Sequence, residues 1–357
     1  MRCPLFTVHC SLYFSFLFLL SCCTPTPQPT RETSLHIYRF NPPAFLEYSA
    51  DFQPIKEIPF AIPPSCGLYN TFPAPIGKFL LIELTCPNGQ TVLFLDVETG
   101  SATQPVTASD AHFLAWTSDG KSAYLKVDSL GVPRIIRADV NGDHDEIPIP
   151  EYTYDLAVNP INNDFTFTLS QGLGYGSEIR TTQYDVRNTQ LLYADQFNYI
   201  SFARFSPDGK QIAFIKIPDT QTPFTVGELW IMDSDGANPR KVADADAGHG
   251  YAANWSPDGK RIAFVARENP DDEHANQSSD ALVSNIYIVD IETGKLTQVT
   301  HFTEGRAETP FWSTDGNTLA FNIVVNGRMT VSIADVTTGE SRIIETEPAC
   351  CPAWMRK

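Results

Sequence analysis

The sequence predicts an all-β fold in which one short unit of four strands is repeated and the copies close into a ring. Three observations predict it. A ten-residue segment recurs along the chain: Trp255–Phe264 reads WSPDGKRIAF, Phe205–Phe214 reads FSPDGKQIAF, Trp312–Phe321 reads WSTDGNTLAF and Trp116–Leu125 reads WTSDGKSAYL. The marker glycines Gly77, Gly120, Gly209, Gly259 and Gly316 lie 43, 89, 50 and 57 residues apart, and the long gap holds a degenerate copy at Asn159–Phe167. That period matches a four-stranded propeller blade. The third observation is the spread of 27 Pro and 21 Gly through 357 residues, which suits short strands and tight turns better than helices.

Each unit is legible strand by strand. In Ser-Pro-Asp-Gly the proline sits at the second turn position, where its fixed φ fits a type I turn, and the glycine at the fourth. The run that follows, such as Arg261–Val265, is a buried strand. A second hairpin comes next: Ile286–Asp290, the turn Glu292-Thr293-Gly294, then Leu296–Val299, with counterparts at 92–106, 229–242 and 331–344. Six such units are visible. Strand-like pieces at Leu35–Phe40, Phe45–Ser49 and Ile55–Phe60 precede them, and Pro-Ala-Trp at 352–354 follows. Pairing the C-terminal strand with the N-terminal ones completes a single β-propeller of seven blades and removes open sheet edges. Six blades with the N-terminal segment packed outside is the alternative.

On these motifs the repeat resembles that of TolB-like β-propellers (a WD40-like repeat) and of the propeller domains of prolyl-oligopeptidase-type enzymes, over about residues 66–346. The resemblance implies an interaction scaffold of the cell envelope. The chain shows no GxSxG nucleophile elbow, no HExxH helix and no room for the separate hydrolase domain of the oligopeptidase type, which argues against peptidase activity. It departs from the TolB family in lacking an evident N-terminal α/β domain, which argues against a Tol–Pal role.

Residues 1–21 read as an export signal. Ser11–Leu20 is apolar but too short to span a bilayer as a helix. Leu19-Leu20-Ser21-Cys22 resembles a bacterial lipobox, which implies that Cys22 becomes the acylated N-terminus. Residues 22–34, with the run TPTPQPT, then form an extended tether, and 35–357 the propeller domain. The expected location is the extracytoplasmic side of a membrane, in the periplasm or on the cell surface. The chain has 42 acidic against 25 basic residues, a formal net charge of −17, which disfavours phosphate backbones and so nucleic acid. A monomer that meets an envelope protein or another extracytoplasmic ligand is expected. Export permits disulfides. Cys66 and Cys86 flank one predicted hairpin and could bridge, and a bond from Cys66 to Cys350 or Cys351 would staple the ring instead.

Propellers bind partners on the face formed by the loops leading into the first strands and the loops joining second to third strands. Four residues back from each Trp-type position lie Phe72, His112, Asp155, Ser201, Tyr251, Glu308 and Cys350, with His249 nearby. His112, His249, Asp155, Tyr251 and Glu308 are the candidates at the channel mouth. The loop 267–284 explains the 57-residue gap and offers Asp271, Asp272, Glu273 and His274 to a partner. Asp139, Asn141, Asp143 and Asp145 alternate as in the start of a calcium loop, but His144 replaces its glycine and Pro150 its last carboxylate. They form either a calcium site or an acidic hairpin. The function expected is a non-catalytic binding scaffold. The alternative is a propeller enzyme, a lyase or hydrolase of glycans or another small substrate, working from the channel with or without a metal.

Overall fold

The computed structural model describes residues 33–107, 110–129, 132–150, 152–172, 174–182, 188–220, 222–246 and 252–356. Within them the chain forms seven four-stranded antiparallel blades. Blade 1 takes β1 (Thr33–Phe40), β2 (Pro43–Tyr48) and β3 (Pro54–Pro59). Blade 2 is β4 (Gly67–Pro73), β5 (Phe79–Cys86), β6 (Gly89–Asp96) and β7 (Ala102–Thr103). Blade 3 is β8 (Asp110–Trp116), β9 (Ser122–Ser129), β10 (Val132–Asp139) and β11 (His144–Ile147). Blade 4 is β12 (Thr153–Val158), β13 (Phe165–Leu169), β14 (Ser177–Thr182) and β15 (Gln190–Asp195). Blade 5 is β16 (Asn198–Phe205), β17 (Gln211–Pro218), β18 (Val226–Asp233) and β19 (Arg240–Asp246). Blade 6 is β20 (Asn254–Trp255), β21 (Arg261–Arg267), β22 (Ser284–Asp290) and β23 (Leu296–Gln298). Blade 7 is β24 (Arg306–Trp312), β25 (Thr318–Val325), β26 (Arg328–Asp335) and β27 (Ser341–Glu345). The last strand, β28 (Ala349–Arg356), returns to blade 1 as its inner strand, with Leu35 opposite Trp354 and Arg39 opposite Ala349. One parallel bridge between Ser284 and Arg306 links blades 6 and 7.

The strand β1 begins at Thr33 and buries Ser34. Cys22 and the rest of the expected export segment lie outside the described residues, as do His249 and Tyr251. No helix among the described residues is long and apolar enough to cross a membrane.

The repeat motif works as a clamp within blades 5 to 7 and between blades. In the turn of blade 5, Asp208 accepts from Ser206 Oγ at 2.7 Å and from the Lys210 amide at 3.1 Å, while Gln211 N donates to Ser206 Oγ at 3.0 Å. Blades 6 and 7 repeat this set around Ser256 and Ser313. The tryptophans that end the inner strands reach backward. Trp116, Trp255 and Trp312 each donate the indole N–H, at 3.0 Å, to the carbonyls of Phe72, Arg204 and Asn254 in the preceding blade. The apolar faces between blades are filled by buried strand residues, for example Ala213, Leu229 and Ile231 of blade 5 against Ile262, Phe264 and Val289 of blade 6. At roughly 25 cal/mol per Å² of apolar surface, this blade-to-blade burial is the main driving force of the fold.

Cys66 and Cys86 form a disulfide with Cα atoms 4.2 Å apart, at the open end of the β4–β5 hairpin. Cys350 pairs with its neighbour Cys351, so neither reaches Cys66. Asp139, Asn141, Asp143 and Asp145 lie where β10 turns into β11. Asp139 accepts from Ser122 Oγ and Asp145 pairs with Arg137 at 3.2 Å. The Asp139 and Asp145 carboxylates thus have different partners, and no cluster of three or more His, Cys, Asp or Glu suited to a metal occurs among the described residues.

Candidate functional site

The inner strands line a channel that holds two chambers. The upper one has a volume of about 620 Å³ and lies toward the end of the ring where the inner strands begin. The lower one, about 400 Å³, is walled by prolines and tryptophans such as Pro73, Pro160, Pro207, Trp116 and Trp255. Phe113, Leu114, Arg204 and Asn254 belong to both walls.

A repeated irregularity shapes the upper chamber. Inner strands β4, β8, β12, β16, β24 and β28 each shift register against the second strand of their blade. A bulge adds a residue and re-aims side chains. The residues inserted at five of these shifts, Tyr69, Leu114, Tyr154, Phe202 and Thr309, all line the upper chamber. Phe202 and Thr309 hold φ of 58° and 49°, and Cys351 in β28 holds 63°. Left-handed backbone at a bulky residue is strained, and such strain is found where a site is preorganised.

Polar side chains in the chamber are tied across blade boundaries. Imidazole Nδ1 of His112 lies 3.0 Å from Glu83 of blade 2, and Nε2 lies 2.9 Å from Asp110. The Glu83 hydrogen bond, aided by Asp110 and opposed by burial, raises the His112 pKa above its usual value. Lys126 donates to the Thr153 carbonyl at 3.0 Å, and burial lowers its pKa despite Asp110 and Asp128. Asp155 holds Arg204 of blade 5 at 3.0 Å and accepts from Ala203 N at 3.0 Å. Tyr154 donates to the Ile200 carbonyl, and burial pushes its pKa up. Aromatic walls complete the space, with Phe72 and Phe113 stacked at 4.2 Å.

His112 and Asp155 therefore share one chamber, together with Phe72 and Ser201. Glu308 does not join them. It is buried and held by Arg306, and its neighbour Thr309 faces the chamber instead. Asp271, Asp272, Glu273 and His274 are exposed on the 267–284 loop, outside the channel wall. That loop is ordered: Asn269 bonds Asp272, Ala281 and Val283, and Ala275 and Leu282 are buried. Sequence reasoning missed Glu83, Asp110, Lys126 and Arg204. For the first a signal existed, a single charged residue within a largely apolar second strand (FLLIELTC), and for the third a weaker one, a lysine between the apolar Leu125 and Val127 (SAYLKVDS).

The His112 geometry has a pH signature. A raised folded pKa contributes stability that is fully present below the ordinary histidine range near 6.5 and is lost as pH rises through the folded value. The stability gap between the protein and a His112→Gln variant is therefore expected to be larger at pH 6 than at pH 9. With the side chain 42% exposed, solvent screening keeps the effect below about 1 kcal/mol. Urea titrations at the two pH values check it, and a gap that widens toward pH 9 would contradict the assignment.

No protein-family model matches the chain, and no curated protein matches it. Among solved structures it is similar to TolB from Acinetobacter baumannii, with 18% identity over 88% of this chain and 79% of that one, at a TM-score of 0.54. It is also similar to an oligogalacturonate lyase in complex with manganese, with 14% identity, 87% and 84% coverage and a TM-score of 0.59. A prolyl endopeptidase aligns with 10% identity and a TM-score of 0.63, over 91% of this chain but only 50% of that one. At these identities the likeness is one of fold, and the seven blades with their turn motif give the chain the fold of a TolB-like β-propeller.

Proposed function

We propose that this chain is an exported propeller, anchored through lipid on Cys22, which holds an envelope protein at the mouth of its channel without catalysis. The observation that carries the reading is the upper chamber, a preformed cavity of about 620 Å³ walled by bulge residues on a rigid ring. The short apolar segment, the lipobox-like LSC and the Pro/Thr tether support the anchor. A protein that displays a shaped surface from a tether needs no reacting group.

A second reading, a propeller enzyme acting on glycans or another small substrate, draws on His112 in the same chamber. Both imidazole nitrogens are held by carboxylates, which leaves neither to take a proton from a substrate. The channel-mouth carboxylates Asp155 and Glu308 are likewise tied apart, Asp155 to Arg204 and Glu308 to Arg306.

Two measurements test the proposal in the native host. A Cys22→Ala variant is expected to leave the membrane fraction, and its retention there would refute the anchor. A photo-crosslinking residue placed at Phe197 or Tyr175 is expected to give one discrete protein adduct, and the absence of any adduct would refute the partner.

A further inference from the structure

We infer that the upper chamber receives a basic side chain, lysine or arginine, from an apolar segment of the partner; this rests on the protein-binding reading above. Three features of the site converge on that chemistry. The first is charge. Glu83, Asp110, Asp128 and Asp155 line the chamber against Lys126 and Arg204, with His112 bonded to two of the carboxylates. The local balance is acidic whether or not the imidazole is charged. The chain as a whole carries −17, so the field at the mouth attracts cations at long range.

The second feature is the wall. Tyr69, Phe72, Phe113, Phe202 and Phe311 surround the same space. Aromatic faces attract cations and bury the aliphatic stem of a long basic side chain. An anion entering here would meet ring faces and an acidic surround, which disfavour it.

The third feature is the rim. Large apolar residues are exposed at this end of the ring in blades 2 to 5: Tyr69 (61%), Val132 (57%), Tyr152 (50%), Tyr175 (71%) and Phe197 (79%). Chain topology puts them at one end of the ring: Tyr69 lies near the start of an inner strand, Tyr152 and Phe197 just before one, Tyr175 between second and third strands and Val132 at the start of a third strand. The Tyr175 and Phe197 segments are joined through Asp219, which accepts from Gly174 N at 2.6 Å and donates its own amide to the Phe197 carbonyl at 3.1 Å. Exposed apolar surface at the same end of the ring as a polar pocket, with Tyr69 belonging to both, suits protein docking. A lone small amine would use the chamber and leave the rim bare.

Titration calorimetry of the whole protein with blocked pentapeptides tests this. The probes are acetyl-Leu-Gly-Lys-Gly-Leu-amide, its Arg, Gln and Glu counterparts, and n-butylammonium. The Lys and Arg peptides are expected to bind at least tenfold more tightly than the Gln and Glu peptides. Their affinity is expected to fall as salt rises from about 50 to about 500 mM, and the wild-type protein alone supplies this readout. Asp110→Asn is expected to weaken the Lys peptide at least fivefold, with its melting midpoint recorded as a control for folding. Binding of the Glu peptide as tight as that of the Lys peptide, or Lys-peptide binding insensitive to salt, overturns the inference. Butylammonium binding as tightly as the Lys peptide overturns the assignment to a protein segment. A crosslinked partner at Phe197 combined with no preference among the peptides overturns this inference alone and leaves the docking function standing.

Discussion

Removing residues 349–356 is expected to abolish cooperative folding of the ring. These residues form the inner strand of blade 1, and seven of the eight are buried. Ala353, Met355, Cys350 and Cys351 pack with Leu80, Ile82 and Leu84 of blade 2. Ala349 and Trp354 pack with Ala320, Val331 and Ile333 of blade 7. The strand therefore glues both neighbours at once. Its backbone adds polar contacts to each side: Cys351 N donates to Asn322 Oδ1 at 3.0 Å, and Thr71 Oγ1 donates to the Cys351 carbonyl at 3.1 Å. Burying a large apolar side chain contributes about 1.5–3 kcal/mol. The strand as a whole is thus worth on the order of 10 kcal/mol, similar to the total stability of an ordinary domain at about 5–15 kcal/mol. Truncation also leaves β1 as an unpaired edge, an invitation to aggregate. Near-ultraviolet circular dichroism and size-exclusion chromatography are the checks. A truncated chain that stays monomeric with an unchanged urea midpoint would show that the ring closes elsewhere.

How the ring closes was readable because Pro-Ala-Trp at 352–354 repeats the end of an inner strand and the N-terminus supplies only three strands before the first full unit. The turns were readable because Ser, Asp and Gly each have a fixed task there, seen in the Ser206, Asp208 and Gly209 contacts. The chamber was only partly readable. Counting back from Trp-type positions found His112 and Asp155, but it assumes strict alternation. One inserted residue reverses the face of everything beyond it, so the count gives Glu308, which lies off the chamber, and passes over Phe202 and Thr309, where the bulges fall. The partners of His112 and Asp155 come from adjacent blades, Glu83 29 residues upstream and Arg204 49 downstream. Neither distance is a motif spacing.

The marker glycines are expected to respond unequally to the same substitution, although Gly120, Gly209 and Gly259 have nearly the same φ, 66°, 70° and 70°. Each sits against the preceding blade. At Gly259 an added methyl group would meet nothing nearer than Pro207 Cδ at 3.7 Å, so Gly259→Ala costs only the left-handed backbone, about 1–2 kcal/mol. At Gly209 the methyl would lie 2.4 Å from Asn159 Oδ1. Asn159 is itself buried and bonded to the Gly209 carbonyl at 3.1 Å and the Ile161 amide at 2.9 Å, so displacing it sacrifices those bonds. At Gly120 the obstacle is backbone, the Ile76 carbonyl oxygen at 2.3 Å, which no rotamer change can relieve. Forcing blades 2 and 3 apart adds about 1–3 kcal/mol of overpacking to the conformational cost. Thermal midpoints are therefore expected to fall least for Gly259→Ala, more for Gly209→Ala and most for Gly120→Ala, by about 2–4 °C per kcal/mol or less in a chain this long. Equal losses at all three would mean that the glycines serve only their own turns. The ordered series would locate the cost in the contact between neighbouring blades, the same contact that holds the inner strands, and the chamber they line, in place.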